Sequence, residues 1–247
     1  MKRVMFVAVL CALAATPVLG DPYTNGTVTY GGRISYTQTP YGYSNGGEFT
    51  VSSDGGPGLL LGNGGYVFGT TARVDTKSES FQTFCVETDE YIYSGNMIYV
   101  SETFLDGTPG SHAWKGGIGP DTGDDLDFRT AYLYTQFAKG ILSDYRYSDA
   151  ANRPLDAGQL QRAIWSIEGE YTLAATDIKA KAWVQEATDA KWSNIGDVRV
   201  LQAVTVGADG NPTGLGQDLL YLVPVPGAVL LGLLGLGAAG LKLRRFA

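Results

Sequence analysis

Between Asp218 and Lys242 the chain runs for 23 residues without a charge, long enough to cross a bilayer as a single helix. Its most apolar part, Gly227 to Leu241, is 15 residues long and would by length alone also suit a buried core helix. Lys242, Arg244 and Arg245 follow at once, however, and a basic cluster at the end of an apolar stretch marks the cytoplasmic side of a span. At the other end, residues 1–20 open with Lys2 and Arg3, continue through apolar residues from Val4 to Ala15 and close on small residues around Val18 and Gly20. That is the pattern of a secretory signal, cleaved after Gly20 and taking Cys11 with it. The two ends predict export through the Sec machinery, an extracytoplasmic body over 21–222, and a segment over 223–247 that holds this body to the inner membrane.

Composition narrows what the body can do. Five of the 18 basic residues lie in the two ends, which leaves 13 against 25 acidic residues and a net −12 for the rest. Such a charge repels phosphate backbones, so nucleic acid is excluded as a partner. His112 is the only histidine. Multi-histidine metal sites are thereby excluded, and any nucleophile–histidine arrangement has one candidate base, in a predicted loop with no nucleophile motif nearby. Asp121, Asp124, Asp125 and Asp127 crowd together without EF-hand spacing and suit turn and cap duties. Glu168 and Glu170, near a helix end, read as solvated. The glycine-rich spacings of the first third precede no helix, so they form no phosphate cradle. No enzyme activity, cofactor or metal is expected from these features.

The C-terminal segment resembles the PEP-CTERM sorting signal of Gram-negative bacteria. Val223-Pro224-Val225-Pro226-Gly227-Ala228 corresponds to its proline-containing motif, Val229 to Leu241 to its span, and Lys242 to Arg245 to its basic tail; Val225 stands where the family usually has Glu. The resemblance covers about the last 25 residues and implies recognition by an exosortase. The inner membrane would then be a transient anchor, with delivery of the body to the cell surface or extracellular matrix.

Residues 23–66 are rich in Gly, Tyr, Thr and Ser, with turn signals at Gly31-Gly32, Asn45-Gly46-Gly47, Asp54-Gly55-Gly56-Pro57 and Asn63-Gly64-Gly65. The alternating pieces between them, such as Thr27–Tyr30 and Arg33–Tyr36, predict short strands, the alternative being a low-complexity linker. Further strands are expected at Gly65–Val74, Phe81–Tyr93, Met97–Phe104, Val198–Val206 and Leu219–Val223. Between about 127 and 190 the period becomes helical. A first helix behind Asp caps carries Phe128, Ala131, Leu133 or Tyr132, Tyr134 and Phe137. A second, from Asp156, carries Leu160, Ala163, Ile164 and Ile167, and a third, Thr176 to Ala187, carries Ile178, Ala182 and Trp183. The expected fold is α+β: a β-rich, sandwich or barrel-like ectodomain with an inserted helical segment, plus the C-terminal transmembrane helix.

One cysteine remains after signal removal. Cys85 lies in Phe84-Cys85-Val86-Glu87 on a predicted strand, and 76 residues later Gln161 and Trp165 lie in Gln161-Arg162-Ala163-Ile164-Trp165 on a predicted helix. A lone thiol in an oxidising compartment is either a small buried hydrophobe or a reactive group. The two segments resemble the halves of the internal Cys–Gln thioester in the TQXA-type thioester domains of bacterial surface adhesins, with Leu160 in place of the commoner Thr before the glutamine. The resemblance implies a bond between Cys85 and Gln161, shielding by Phe84 and Trp165, and a role for Glu87 in orienting the site or accepting a proton. It implies adhesin-like covalent capture of a surface amine or hydroxyl, without turnover. The alternative is a non-covalent structural or binding protein of the envelope or biofilm matrix in which Cys85 is inert.

Overall fold

The described parts of the turn-rich first third form short antiparallel pairs, as their alternating residues predict. In the structure, a computed structural model, the described residues are 23–25, 28–30, 34–37, 42–44, 46–53, 80–93, 96–100, 112–113, 124–208 and 212–222, all within one compact unit. β1 (Tyr23–Asn25) pairs with β2 (Val28–Tyr30). After β3 (Ile34–Thr37) comes a minimal hairpin of β4 (Gly42–Tyr43) and β5 (Gly46–Gly47). β6 (Phe49–Ser53) lies between β3 and β7 (Ser80–Thr83) in a three-stranded sheet. β8 (Met97–Val100) follows, and His112, expected in a loop, instead belongs to β9 (His112–Ala113), which pairs with β10 (Asp124–Asp125). Then come α1 (Phe128–Ala138), α2 (Arg153–Ile167), α3 (Ile178–Ala190), β11 (Val198–Val206), β12 (Pro212–Leu215) and β13 (Leu219–Leu222).

β11 organises the second sheet. One edge pairs with β8 through Leu201–Val204, and the other pairs first with β13 and then with β12. Alternation along β11 and β13 sorts their side chains onto two faces. Val198, Val200, Leu220 and Leu222 join the core formed with the helices, whereas Leu201, Ala203, Leu219 and Tyr221 join Phe49, Val51 and Phe81 of the β3–β6–β7 sheet. Helices therefore cover one face and a second small sheet the other, which is why Leu219–Leu222 reads as an unbroken buried run. Each fully buried Leu, Val or Phe contributes about 1.5–3 kcal/mol. The molecule is a mixed helix and strand fold with small sheets. The barrel-like expectation is corrected: among the described residues no sheet closes.

The helical insertion is where expected, with corrected details. Asp127 caps α1 by accepting the Arg129 backbone N–H at 2.7 Å. α2 starts at Arg153, three residues before the expected Asp156, because Pro154 sits in the first turn, where its missing N–H costs nothing. Leu160, Ala163, Ile164 and Ile167 are buried as their spacing predicts. Phe128 and Ile178 are exposed, however (40% and 74%), as is Ala182. Trp183 is buried as expected, but α3 turns Ala180 and Ala187 inward beside it in place of Ile178 and Ala182. The strand expected over Phe81–Tyr93 is also corrected: β7 ends at Thr83, and Cys85 makes only an isolated bridge to Leu219. The signal at 1–20, the strand at Gly65–Val74 and the segment 223–247 lie outside the described residues. No helix among those described is long and apolar enough to cross a membrane.

Asp156 ties the helical segment together. Its buried carboxylate accepts from the Arg146 guanidinium at 2.6 and 2.8 Å, from the Arg146 backbone N–H at 2.9 Å, and from Lys179 at 2.7 Å. Burial opposes the charge, but these donors outweigh it and hold the carboxyl below its ordinary value. A depressed folded value means stability that is present above the unfolded carboxyl pKa of about 3.9 and lost as pH falls through the folded one. Asp156→Asn is expected to cost about 1–3 kcal/mol at neutral pH. In urea titrations the gap to wild type should close in strong acid; a gap independent of pH would rule out this origin.

Candidate functional site

Beyond β7 the chain changes partner. The Thr83 hydroxyl donates to the Leu220 carbonyl at 2.6 Å, Leu220 N–H to the Phe84 carbonyl at 3.2 Å, and Val86 N–H to the Asp218 carbonyl at 3.0 Å. Residues 84–86 thus run antiparallel along the free edge of β13. The bonds made by Phe84 and Val86 flank the Cys85–Leu219 bridge, so this is a non-hydrogen-bonded pair, and the backbone N–H and C=O of Cys85 point away from β13.

Gln161 fills that open edge. Its side-chain oxygen accepts from the Cys85 N–H at 3.0 Å, and its side-chain nitrogen donates to the Cys85 carbonyl at 2.7 Å. One primary amide does what a residue of a neighbouring strand would do, which satisfies two buried backbone groups. Both residues are nearly inaccessible, at 3% and 1% exposure. α2 supplies the amide because Gln161 follows Leu160 on a helix whose core face is anchored by Leu160, Ala163, Ile164 and Ile167.

The remaining sequence-predicted residues separate by side. Phe84 packs edge to face on Phe137 at 4.9 Å in the helix-side core, whereas Cys85 joins the cluster between the sheets. Trp165 packs against the Cys85 cluster, and its indole N–H donates to the Glu87 backbone carbonyl at 3.1 Å. That carbonyl also accepts from the Gln217 side chain at 3.0 Å. The Glu87 side chain is buried rather than a strand-end surface charge. Burial, helped by the Glu90 charge, pushes the Cys85 thiol far above its ordinary range. As a free thiol it is protonated and shielded.

Two further features were not read from the sequence. Oxygens of Glu87, Glu90 and Asp218 lie within 4.8 Å of one another, and all three side chains are buried. This oxygen-only donor set is of the kind that could hold a hard divalent cation. The acidic cluster weighed in the sequence lay elsewhere, at 121–127, and no local pattern joins Asp218 to residues more than 120 positions away. The second feature is a cavity of about 340 Å3 on the outer side of Gln161, between the β4–β5 hairpin and α2. The hairpin fits closely: a Cβ on Gly46 would lie 2.8 Å from both Gln161 Cγ and the Trp165 ring, and one on Gly158 would lie 2.4 Å from the Tyr43 ring. The sorting residues Val223 to Ala228, Lys242, Arg244 and Arg245 lie outside the described residues.

No protein-family model, no curated protein and no solved structure matches this chain.

Proposed function

We propose that the body is an exported surface or matrix module, sorted by an exosortase through its C-terminal segment, in which Cys85 and Gln161 form an internal thioester for single-use capture of a nucleophile. The observation that supports the thioester is the doubly bonded contact between the Gln161 amide and the Cys85 backbone. The sulfur is two bonds from the Cα that lies between those two backbone groups. A thiol brought from there to near-attack distance of the amide carbonyl would react at an effective concentration many orders of magnitude above that of a free thiol. In the first step the sulfur bonds to Gln161 Cδ, the Cδ–N bond breaks, and nitrogen leaves as ammonia with the thiol proton. In the second, an amine or hydroxyl bonds to Cδ, the Cδ–S bond breaks, and the sulfur recovers a proton. Burial favours the bond's survival: the thioester is uncharged, whereas its cleavage to a thiolate would place a charge where desolvation opposes it. The sorting part is supported by the tail's three-part sequence.

A second reading follows from the same contact. Gln161 also completes a sheet edge, so a structural glutamine beside an inert Cys85 accounts for the hydrogen bonds. Intact-mass measurement separates the two. The thioester reading expects the chain to lack one ammonia, and methylamine to add at Gln161 with release of a thiol. Both effects should vanish in Cys85→Ala. A full-mass chain that takes up no methylamine would leave the structural role alone. Thiol reagents do not decide the matter in the folded protein, because Cys85 is buried under either reading.

A further inference from the structure

We propose that the cavity between the β4–β5 hairpin and α2 is a saccharide-binding cleft. Binding there does not depend on the thioester; only delivery of a sugar hydroxyl to Gln161 rests on that reading.

One wall is a single face of α2. Gly158, Gln161, Arg162 and Trp165 stand at positions i, i+3, i+4 and i+7 and line the cavity. The opposite wall is the hairpin, with Tyr43 and its glycines, and Tyr171 also lines the cavity. Tyr171 is brought there by the end of the helix. Gly169 adopts the left-handed backbone (φ 84°), and Glu170 N–H donates to the Trp165 carbonyl at 2.7 Å, the six-to-one bond of a Schellman turn.

The rings are held before any ligand arrives, which lowers the ordering cost of binding. Trp165 is fixed by its bond to the Glu87 carbonyl. Tyr43 lies against Gly158, where any side chain would collide with it, and the Arg162 guanidinium sits 5.4 Å from its centroid. About 340 Å3 is at the small end for ligand sites and suits one or two sugar rings.

Charge selects among ligand classes. Whole-body charge would draw cations towards the molecule, but the cavity is different. None of its described lining residues is a carboxylate, and its ionisable cation, Arg162, already lies over one ring. An ammonium group would find no carboxylate in this lining and the Tyr43 face already taken. An anion fares no better, because Arg162 is engaged by the buried Asp177 at 2.8 Å. A wholly apolar ligand would desolvate the Ser44 hydroxyl and the Arg162 guanidinium for no return. A neutral molecule with flat C–H faces for Trp165 and Tyr171 and hydroxyls at its edge fits the described lining.

Where the thioester is present, the bound sugar is the nucleophile. A hydroxyl oxygen bonds to Gln161 Cδ, the Cδ–S bond breaks, and the hydroxyl proton passes to the Cys85 sulfur, leaving an ester.

The test uses the full chain in a zwitterionic, sugar-free detergent, with maltopentaose, cellopentaose and chitopentaose as probes and Nα-acetyl-lysine as the cationic competitor. Binding is read by saturation-transfer NMR and calorimetry. At least one oligosaccharide is expected to bind more tightly than the lysine probe. Tyr171→Ala and Trp165→Ala should each weaken it at least tenfold, with recovery in Trp165→Phe. Tyr171 is exposed, so its loss removes little packing, and Tyr171→Phe, which keeps the ring and drops only the hydroxyl bond to Asp177, should retain binding. Failure of all three oligosaccharides, tighter binding of the lysine probe, or binding unchanged in both alanine variants would overturn the assignment. Methylamine incorporation is scored separately in the same preparation. Incorporation without sugar binding removes the cleft and leaves the thioester; sugar binding without incorporation does the reverse.

Discussion

Arg153→Ala is expected to remove about 3–5 kcal/mol of folding stability, the usual cost of breaking a buried ion pair from one side. The Arg153 and Glu48 side chains are 0% and 1% exposed and paired at 2.7 Å, and Arg153 also donates to the Gln82 side chain and the Tyr147 carbonyl. Tyr145 donates its hydroxyl to the same Glu48 carboxylate. The cluster joins the first turn of α2 to the chain between β5 and β6, so it fixes the hairpin that walls the cavity. Burial pushes the Glu48 carboxyl above its ordinary value, with the Arg153 and Tyr145 bonds opposing the rise. Without Arg153 the carboxyl moves higher still. A raised folded value means stability that declines as pH climbs from the unfolded carboxyl pKa of about 4.3 towards the folded one. The deficit of the variant should therefore be smaller at about pH 5 than at about pH 8. Denaturant titration at both values checks this, and equal deficits would show that Glu48 does not carry the cost. A Glu48→Gln, Arg153→Met double variant should recover part of the loss, because neither charge then stays buried alone.

Gln161→Leu keeps most of the side-chain bulk and removes both bonds to Cys85. Each orphaned backbone group costs about 1–3 kcal/mol, or about 2–6 kcal/mol together. The local signature is faster hydrogen exchange at the Cys85 amide. A variant with unchanged stability and unchanged exchange would mean that this edge does not need the glutamine. That outcome would remove the structural reading while leaving the chemical one open to the mass measurement.

Much of this framework was legible along the chain, for reasons particular residues make plain. β11 fell within its expected bounds because Val198–Val206 is apolar on both faces and ends at a turn-rich stretch. The inward face of α2 was legible because four apolar residues at helical spacing leave one orientation. Resemblance of two short segments singled out Cys85 and Gln161, but the bonds the fold makes between Gln161 and the Cys85 backbone carry no local signal in either segment. Ile178 and Phe128 were misjudged because periodicity identifies a stripe without knowing where neighbouring elements end. The strand through Cys85 was overextended for a related reason: apolar residues continue past Thr83, but the partner strand changes, and partner exchange leaves no mark in composition. Glu48–Arg153 and the Glu87, Glu90 and Asp218 group depend on long-range closure and could be seen only in the fold.

The position of β13 has a mechanical consequence. It is the last described strand before the segment that would tether the protein, and it is flanked by β11 on one side and by residues 84–86 on the other. Tension entering from the C-terminal direction along its axis loads both rows of bonds in shear, so they resist as a set instead of unzipping one by one. Were the following segment a tether, a pull on it would pass through the bonds of Phe84 and Val86, on either side of Cys85, to the heart of the molecule.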